Sequence, residues 1–266
     1  MQLRIEHTTR YRFDDPVHSG LQQLRMTPTT GPNQTVAQWD IDVTGGKIEL
    51  GFPDHHRNQV TLVSLDRDVT EVVLTCRGEV TTYDNNGVVG WHDGPAPLWL
   101  FQKQTDLTRD GASVRRLARQ VDGDTDLARM HNLMELIGDA VSYTPGKSNP
   151  EWTAEDVVME GHGVCQDHAH VFIACARNLG LPARYVSGYL MMNDRTEQEA
   201  MHAWAEAHID GLGWVGFDVS NAMCPDDRYI RVATGLDYSD AAPVTGRRIG
   251  GSKESLSVQI EVAQQQ

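Results

Sequence analysis

The chain has 266 residues, a formal net charge of −14 and 39% hydrophobic residues. That content is enough to bury a core in one large or two modest domains, and the charge argues against a nucleic-acid or anionic-membrane partner, which the summed field would repel. No apolar run approaches the ~20 residues needed to cross a bilayer, and residues 1–7 alternate polar with apolar and lack the apolar core of a signal peptide. Four cysteines, Cys76, Cys165, Cys175 and Cys224, include no C-x-x-C pair, so free thiols in a reducing cytoplasm are expected.

Residues 1–85 read as β structure. Leu3, Ile5, His7, Thr9, Tyr11 and Phe13 alternate with polar residues, as do Trp39, Ile41 and Val43. Asp14-Asp15-Pro16, Thr44-Gly45-Gly46 and Pro53-Asp54 are turn clusters, so several short antiparallel strands and a β-sandwich domain are expected. His55-His56 falls in a polar turn and reads as a solvated pair, since a metal site needs more ligands than two. Residues 86–110, broken by Asp93-Gly94-Pro95 and Pro97, read as a connector. The rest, 111–266, reads as an α+β domain with C-terminal strands.

Helical periods begin at Val114, Leu117, Ala118 and Val121, and continue at Leu127, Met130, Leu133, Met134 and Ile137 behind Asp124 as N-cap. Thr153 with Asp156 resembles a capping box. After Gly161-His162-Gly163-Val164-Cys165, the spacing of Ala169, Phe172, Ile173 and Ala176 predicts a helix from about Val164 to Leu179, ended by Gly180 and Pro182. Ala183 to Leu190 reads as a strand, Asn193 to Glu199 as a polar loop, and 202–209 with 214–219 as a hairpin. Tyr229 to Val232 and Leu256 to Val262 are further strands, separated by a glycine-rich connection from Gly246 to Ser252, and the terminal glutamines 264–266 are expected to fray.

The chemistry gathers at Cys165. A thiol on the first turn of a helix meets the positive end of the dipole, which favours thiolate. A thiol nucleophile needs a base, and the base needs an acceptor that fixes its tautomer. His202 and Asp218 fit these parts. If paired residue numbers in the hairpin sum to 422, Asp218 faces Trp204 and lies diagonal to His202, within reach across a sheet. A plain four-residue loop would pair Ile209 with Trp214 and turn Asp218 to the wrong face, so a longer loop or a bulge is expected. Cys175, amid Ala174 and Ala176, reads as inert core. On residues alone, Cys165 as a buried structural cysteine remains an even alternative.

Several segments carry a resemblance: Gly163-Val164-Cys165-Gln166-Asp167-His168-Ala169-His170, Leu181-Pro182-Ala183-Arg184-Tyr185, His202-Ala203-Trp204-Ala205-Glu206 and Gly213-Trp214-Val215-Gly216-Phe217-Asp218. In this order they resemble bacterial transglutaminase-like proteins of the papain-like cysteine protease and transglutaminase superfamily. The resemblance implies an α+β fold in which the helix carrying the cysteine packs on an antiparallel sheet, preceded by the N-terminal β domain. It implies a papain-like triad of Cys165, His202 and Asp218. Asp218-Val219-Ser220-Asn221 stands where Asp-Pro-Thr-Asn is usual, which keeps the acid and Asn221.

Around this triad, the Cys165 backbone N–H is the natural oxyanion donor, with Tyr143 and Trp152 as candidates for a second. Trp204 and His168 are candidate substrate contacts. Cys165-x-x-His168-x-His170 looks like a metal site, but the i+5 position points away on a helix, so no metal and no cofactor are expected. The implied reaction is cleavage of a peptide or isopeptide amide through a thioester. Acyl transfer from glutamine to an amine is the alternative, and a non-catalytic peptide-binding protein is the rival of another class. The partner is a peptide or protein substrate, not nucleic acid or membrane.

Overall fold

The computed structural model describes residues 1–193 and 195–265; the loop expected over 193–199 and the fraying expected over 264–266 extend onto Asp194 and Gln266, which lie outside the described residues. The N-terminal region is organised by one strand, Gln2–Thr27, of 26 residues. The period-2 pattern holds: Leu3, Ile5, His7, Thr9, Tyr11 and Phe13 are all buried, as alternation across a pleated strand requires. Asp14-Asp15-Pro16 does not separate two strands. The strand bends there, with a register shift between Arg12 and Val17, and continues. An irregular position suits a proline, because no ladder N–H is needed from it.

Before the bend this strand pairs with Val69–Thr82 and Glu254–Gln264, and after it with Gln59–Leu65 and Val244–Gly250. Two layers result, sharing one strand and enclosing Tyr11, Phe13, Leu24, Met26, Val63 and Leu74. The C-terminal strands Val244–Gly250 and Glu254–Gln264 therefore hydrogen-bond into the N-terminal sheet, not into the 111–266 domain where the sequence placed them. The glycine-rich connection expected from Gly246 is largely the strand Val244–Gly250, and the chain turns at Gly250 and Gly251.

A second, five-stranded antiparallel sheet has the order Tyr229–Gly235, Ala183–Leu190, His202–Ile209, Gly213–Phe217, Val88–Gly90. The last strand comes from the expected connector. Four helices lie with this sheet: α1 (Ala112–Ala118), α2 (Asp126–Ala140), α3 (Ala154–Glu160) and α4 (Cys165–Asn178). The α2 cap is Thr125, whose hydroxyl accepts the Ala128 N–H at 3.1 Å, not Asp124. The capping box of Thr153 and Asp156 is present at α3.

Helix α4 is central, packing on α1, α2, α3 and the strand His202–Ile209. The alternation of that strand explains the fit. Ala203, Ala205 and Ala207 join the core shared with α4, and their small side chains admit the helix, while Trp204 packs in a cluster on the opposite face. Phe172 of α4 stacks on Phe217 at 5.1 Å, both fully buried. Truncating Phe172 to alanine would cost about 3–5 kcal/mol in transfer and cavity terms.

Candidate active site

The start of α4 is fixed by local chemistry. Gly161 ends α3 in the left-handed region (φ 69°), which glycine enters without strain. A Cβ at Gly163 would stand 2.6 Å from the Asp167 side chain. That space lets the Asp167 carboxylate fold back and accept the Val164 N–H at 2.7 Å. Asp167 thus caps the helix and lays negative charge on its positive end. Cys165 follows as the first helical residue, half-buried, and its own N–H is one of the donors a helix start leaves without an intrahelical partner.

The hairpin brings the other groups. Ala205 pairs with Phe217, and the ladder runs to Ile209 with Gly213, so paired numbers sum to 422 as the diagonal placement of Asp218 requires. The loop is shorter than a four-residue connection, not longer: Asp210, Gly211 and Leu212 close it, with the Leu212 N–H donating to the Ile209 carbonyl at 3.1 Å. Gly211 and Gly213 make this possible at φ 82° and 79°.

His202 Nε2 lies 2.6 Å from Asp218 Oδ2. The same carboxylate oxygen accepts the Tyr229 hydroxyl at 2.8 Å and the Asn221 side-chain amide at 2.7 Å, while Oδ1 accepts the Asn221 backbone N–H at 3.3 Å. Asp218 is fully buried. Burial alone would raise its pKa, but the bonds from His202, Asn221 and Tyr229 and the nearby imidazole charge hold it below the usual carboxylate range. For His202, burial disfavours the imidazolium, yet hydrogen bonds to Asp218 and Cys165 and their charges outweigh it and raise the pKa to about 10. With Nε2 committed to Asp218, Nδ1 is the ring nitrogen left for a second partner. The arrangement holds an imidazolium between a carboxylate and a thiol at a helix N-terminus.

Comparison with known proteins agrees in outline. Residues 115–219 match the model of the Transglutaminase-like superfamily, and residues 3–81 match that of the bacterial transglutaminase-like N-terminal region. An uncharacterised protein of Mycobacterium tuberculosis is 34% identical, over 97% of this chain and 91% of that relative. The chain belongs to the transglutaminase-like superfamily. An uncharacterised protein of Mycobacterium leprae is 26% identical over 98% of each chain. A solved structure from Cytophaga hutchinsonii, described as a candidate cysteine protease, has the same fold with a TM-score of 0.78 at 23% identity, covering 99% of this chain and 90% of that one.

Within this transglutaminase-like fold the remaining predicted residues divide. Tyr143 lies beside the site and is 53% exposed; burial of its hydroxyl and then the charge of Cys165 raise its pKa. Trp152 packs edge-on against His162 at 5.4 Å and against the helical core, which gives its indole a structural environment. Trp204 is 3% exposed, stacked over His202 and edge-on to Tyr229. It is no surface for a substrate and instead shields the imidazole from water.

His168 is also interior. Its Nε2–H donates to the Val141 carbonyl at 2.9 Å, and Nδ1 accepts the Ser220 hydroxyl at 2.8 Å. These bonds tie α4 to the turn after Asp218, and burial lowers its pKa, so it stays neutral. His170, fully buried, accepts the Tyr238 backbone N–H and is lowered by burial to about 4. The residue that sequence reasoning missed is Tyr229. Its strand was legible, but that its hydroxyl reaches Asp218 is shown only by the folded structure, and no spacing in the chain carries that information. Among the described residues, the cluster with metal-ligand geometry is His55, His56 and Asp240, away from Cys165.

Proposed function

We propose that the protein is a cysteine amide hydrolase acting on peptide or isopeptide bonds through Cys165, His202 and Asp218. The observation that carries this reading is the 2.6 Å bond between His202 and a buried Asp218, with Cys165 close enough to the same imidazole to help raise its pKa. The imidazolium favours the thiolate, and the helix start favours it further. The Cys165 thiolate attacks the substrate carbonyl carbon. The oxyanion is met by the Cys165 N–H, with the Tyr143 hydroxyl, exposed beside the thiol, as second donor. His202 then gives its proton to the leaving amine, and a thioester remains on Cys165. Neutral His202 next takes a proton from water, which attacks the thioester and releases the acid.

Asp218 fixes the His202 tautomer throughout, and Tyr229 and Asn221 hold Asp218 in place. Cys165 is half-exposed and Tyr143 more so, which gives water access to the thioester and favours hydrolysis over transfer. A peptide library incubated with and without a primary amine checks the branch by mass spectrometry. The expected product is free acid in both arms. Amine incorporation with little free acid would mark an acyltransferase, and neither product would mark a binding protein.

A further inference from the structure

The segment Asp54-His55-His56-Arg57-Asn58 does not behave as a solvated loop. It is latched onto the catalytic sheet: the Asn58 side chain donates to the Thr234 carbonyl at 2.7 Å and accepts the Thr234 N–H at 2.8 Å. The Asp54 carboxylate accepts the backbone N–H groups of His56 and Asn58 and fixes the turn from within. The latch holds His55 at the surface and sinks the His56 side chain to 1% exposure.

His56 Nε2 meets Asp240 Oδ2 at 3.2 Å, and that carboxylate is oriented by the Leu236 N–H at 3.0 Å. The other ring nitrogen, Nδ1, is buried with no hydrogen-bond partner. The His55 ring lies beside it, with centroids 4.1 Å apart. One ligand atom from each of His55, His56 and Asp240 lies within 4.8 Å of the other two.

Around a tetrahedral ion with bonds of about 2.0–2.2 Å, ligand atoms stand roughly 3.3–3.6 Å apart. The His56–Asp240 separation is already close to this, and rotation of the exposed His55 side chain closes the rest. Two imidazoles and a carboxylate suit zinc and its neighbours better than calcium or magnesium. His55 and His56 also line a cavity of about 600 Å³, which gives a hydrated cation an approach and a water for the fourth position.

We propose that His55, His56 and Asp240 form a binding site for one divalent transition cation of the zinc type, tying the N-terminal β region to the helix after the strand Tyr229–Gly235. The site is independent of the catalytic assignment. Since Cys165 and His202 also attract zinc, the test uses full-length protein with Cys165→Ala. Calorimetric titration with Zn²⁺ is expected to show one ion per chain, and Co²⁺ to give a d–d spectrum with no thiolate charge-transfer band. His55→Ala, at an exposed position, and Asp240→Asn, which keeps the bond from Leu236, should each weaken binding by about tenfold or more. His18→Ala, which removes the surface pair with Asp68, should leave binding unchanged. No saturable binding, equal affinity in the His55 and Asp240 variants, or loss on changing His18 would overturn the proposal.

Discussion

The two ends of helix α4 place the same chemical group in opposite surroundings. At its start, Cys165 is half-exposed, lies near His202 and sits on the positive end of the dipole. Ten residues on, Cys175 is fully buried among alanines, and burial pushes its thiol up to about 12. Near the end, Arg177 is buried and donates to the carbonyls of Phe101, Ala183 and Leu236 and to the Thr108 hydroxyl. One end of the helix is partly open beside an imidazole, and the other is a structural knot in which a cation joins three separate segments. On the proposed reading, position on the helix, more than residue type, decides which cysteine reacts.

This contrast is breakable by substitution. The largest expected effect is on turnover: Cys165→Ala should lower kcat by about 10⁴-fold or more, whereas Cys175→Ala should leave kcat within about twofold and cost only about 1 kcal/mol of stability, as read by steady-state kinetics and urea unfolding. Asp218→Asn removes the charge that supports the imidazolium and should lower kcat by about 10³–10⁴-fold. The far end responds differently. Arg177→Ala leaves buried carbonyls without donors and should destabilise the fold by about 3–5 kcal/mol, with the residual folded protein still turning over substrate.

The pH dependence separates the regions in the same way. His7 and His170 are held by burial at about 4, so below pH 6.5 the unfolded chain binds protons that the folded chain refuses. Their effect is that stability falls as pH drops from 6.5 towards 4, at up to about 1.4 kcal/mol per pH unit for each. His202 has the opposite sign: its stabilisation is full below pH 6.5 and is lost as pH rises towards about 10. Urea midpoints across this range should show the acid loss flattened by His7→Gln and the alkaline loss flattened by His202→Gln. The smallest effect is expected from Tyr229→Phe, which removes one of the side-chain donors on Asp218. A loss of about 1 kcal/mol, or roughly fivefold in kcat with KM unchanged, would mark Tyr229 as a positioning residue.

What the sequence showed and hid follows from distance along the chain. Helix α4, its glycine entry and the capping box at Thr153 were legible, because each depends on residues within one turn, whereas the register that aims Asp218 at His202 stood only as a condition on the hairpin. The loop length was not legible, because the permissive φ values of Gly211 and Gly213 closed it in three residues. Nor was the return of Val244–Gly250 and Glu254–Gln264 to the first strand, since pairing across more than 200 residues leaves no local signature. Trp204 and His168 looked like contact residues from the motif alone. Only burial shows that they shield and anchor the site.

On the proposed mechanism, Cys165 alone among the cysteines is an activated thiolate paired with His202. Iodoacetamide labelling followed by peptide mass spectrometry, over a range of pH, tests it directly. The predicted result is fast modification of Cys165 below pH 7, slowed by His202→Ala, with Cys76 and Cys175 protected and Cys224, whose thiol burial raises to about 11, labelled only in alkaline solution. Labelling of Cys165 and Cys224 at similar rates, with a common rise above pH 8 and no effect of His202→Ala, would contradict it.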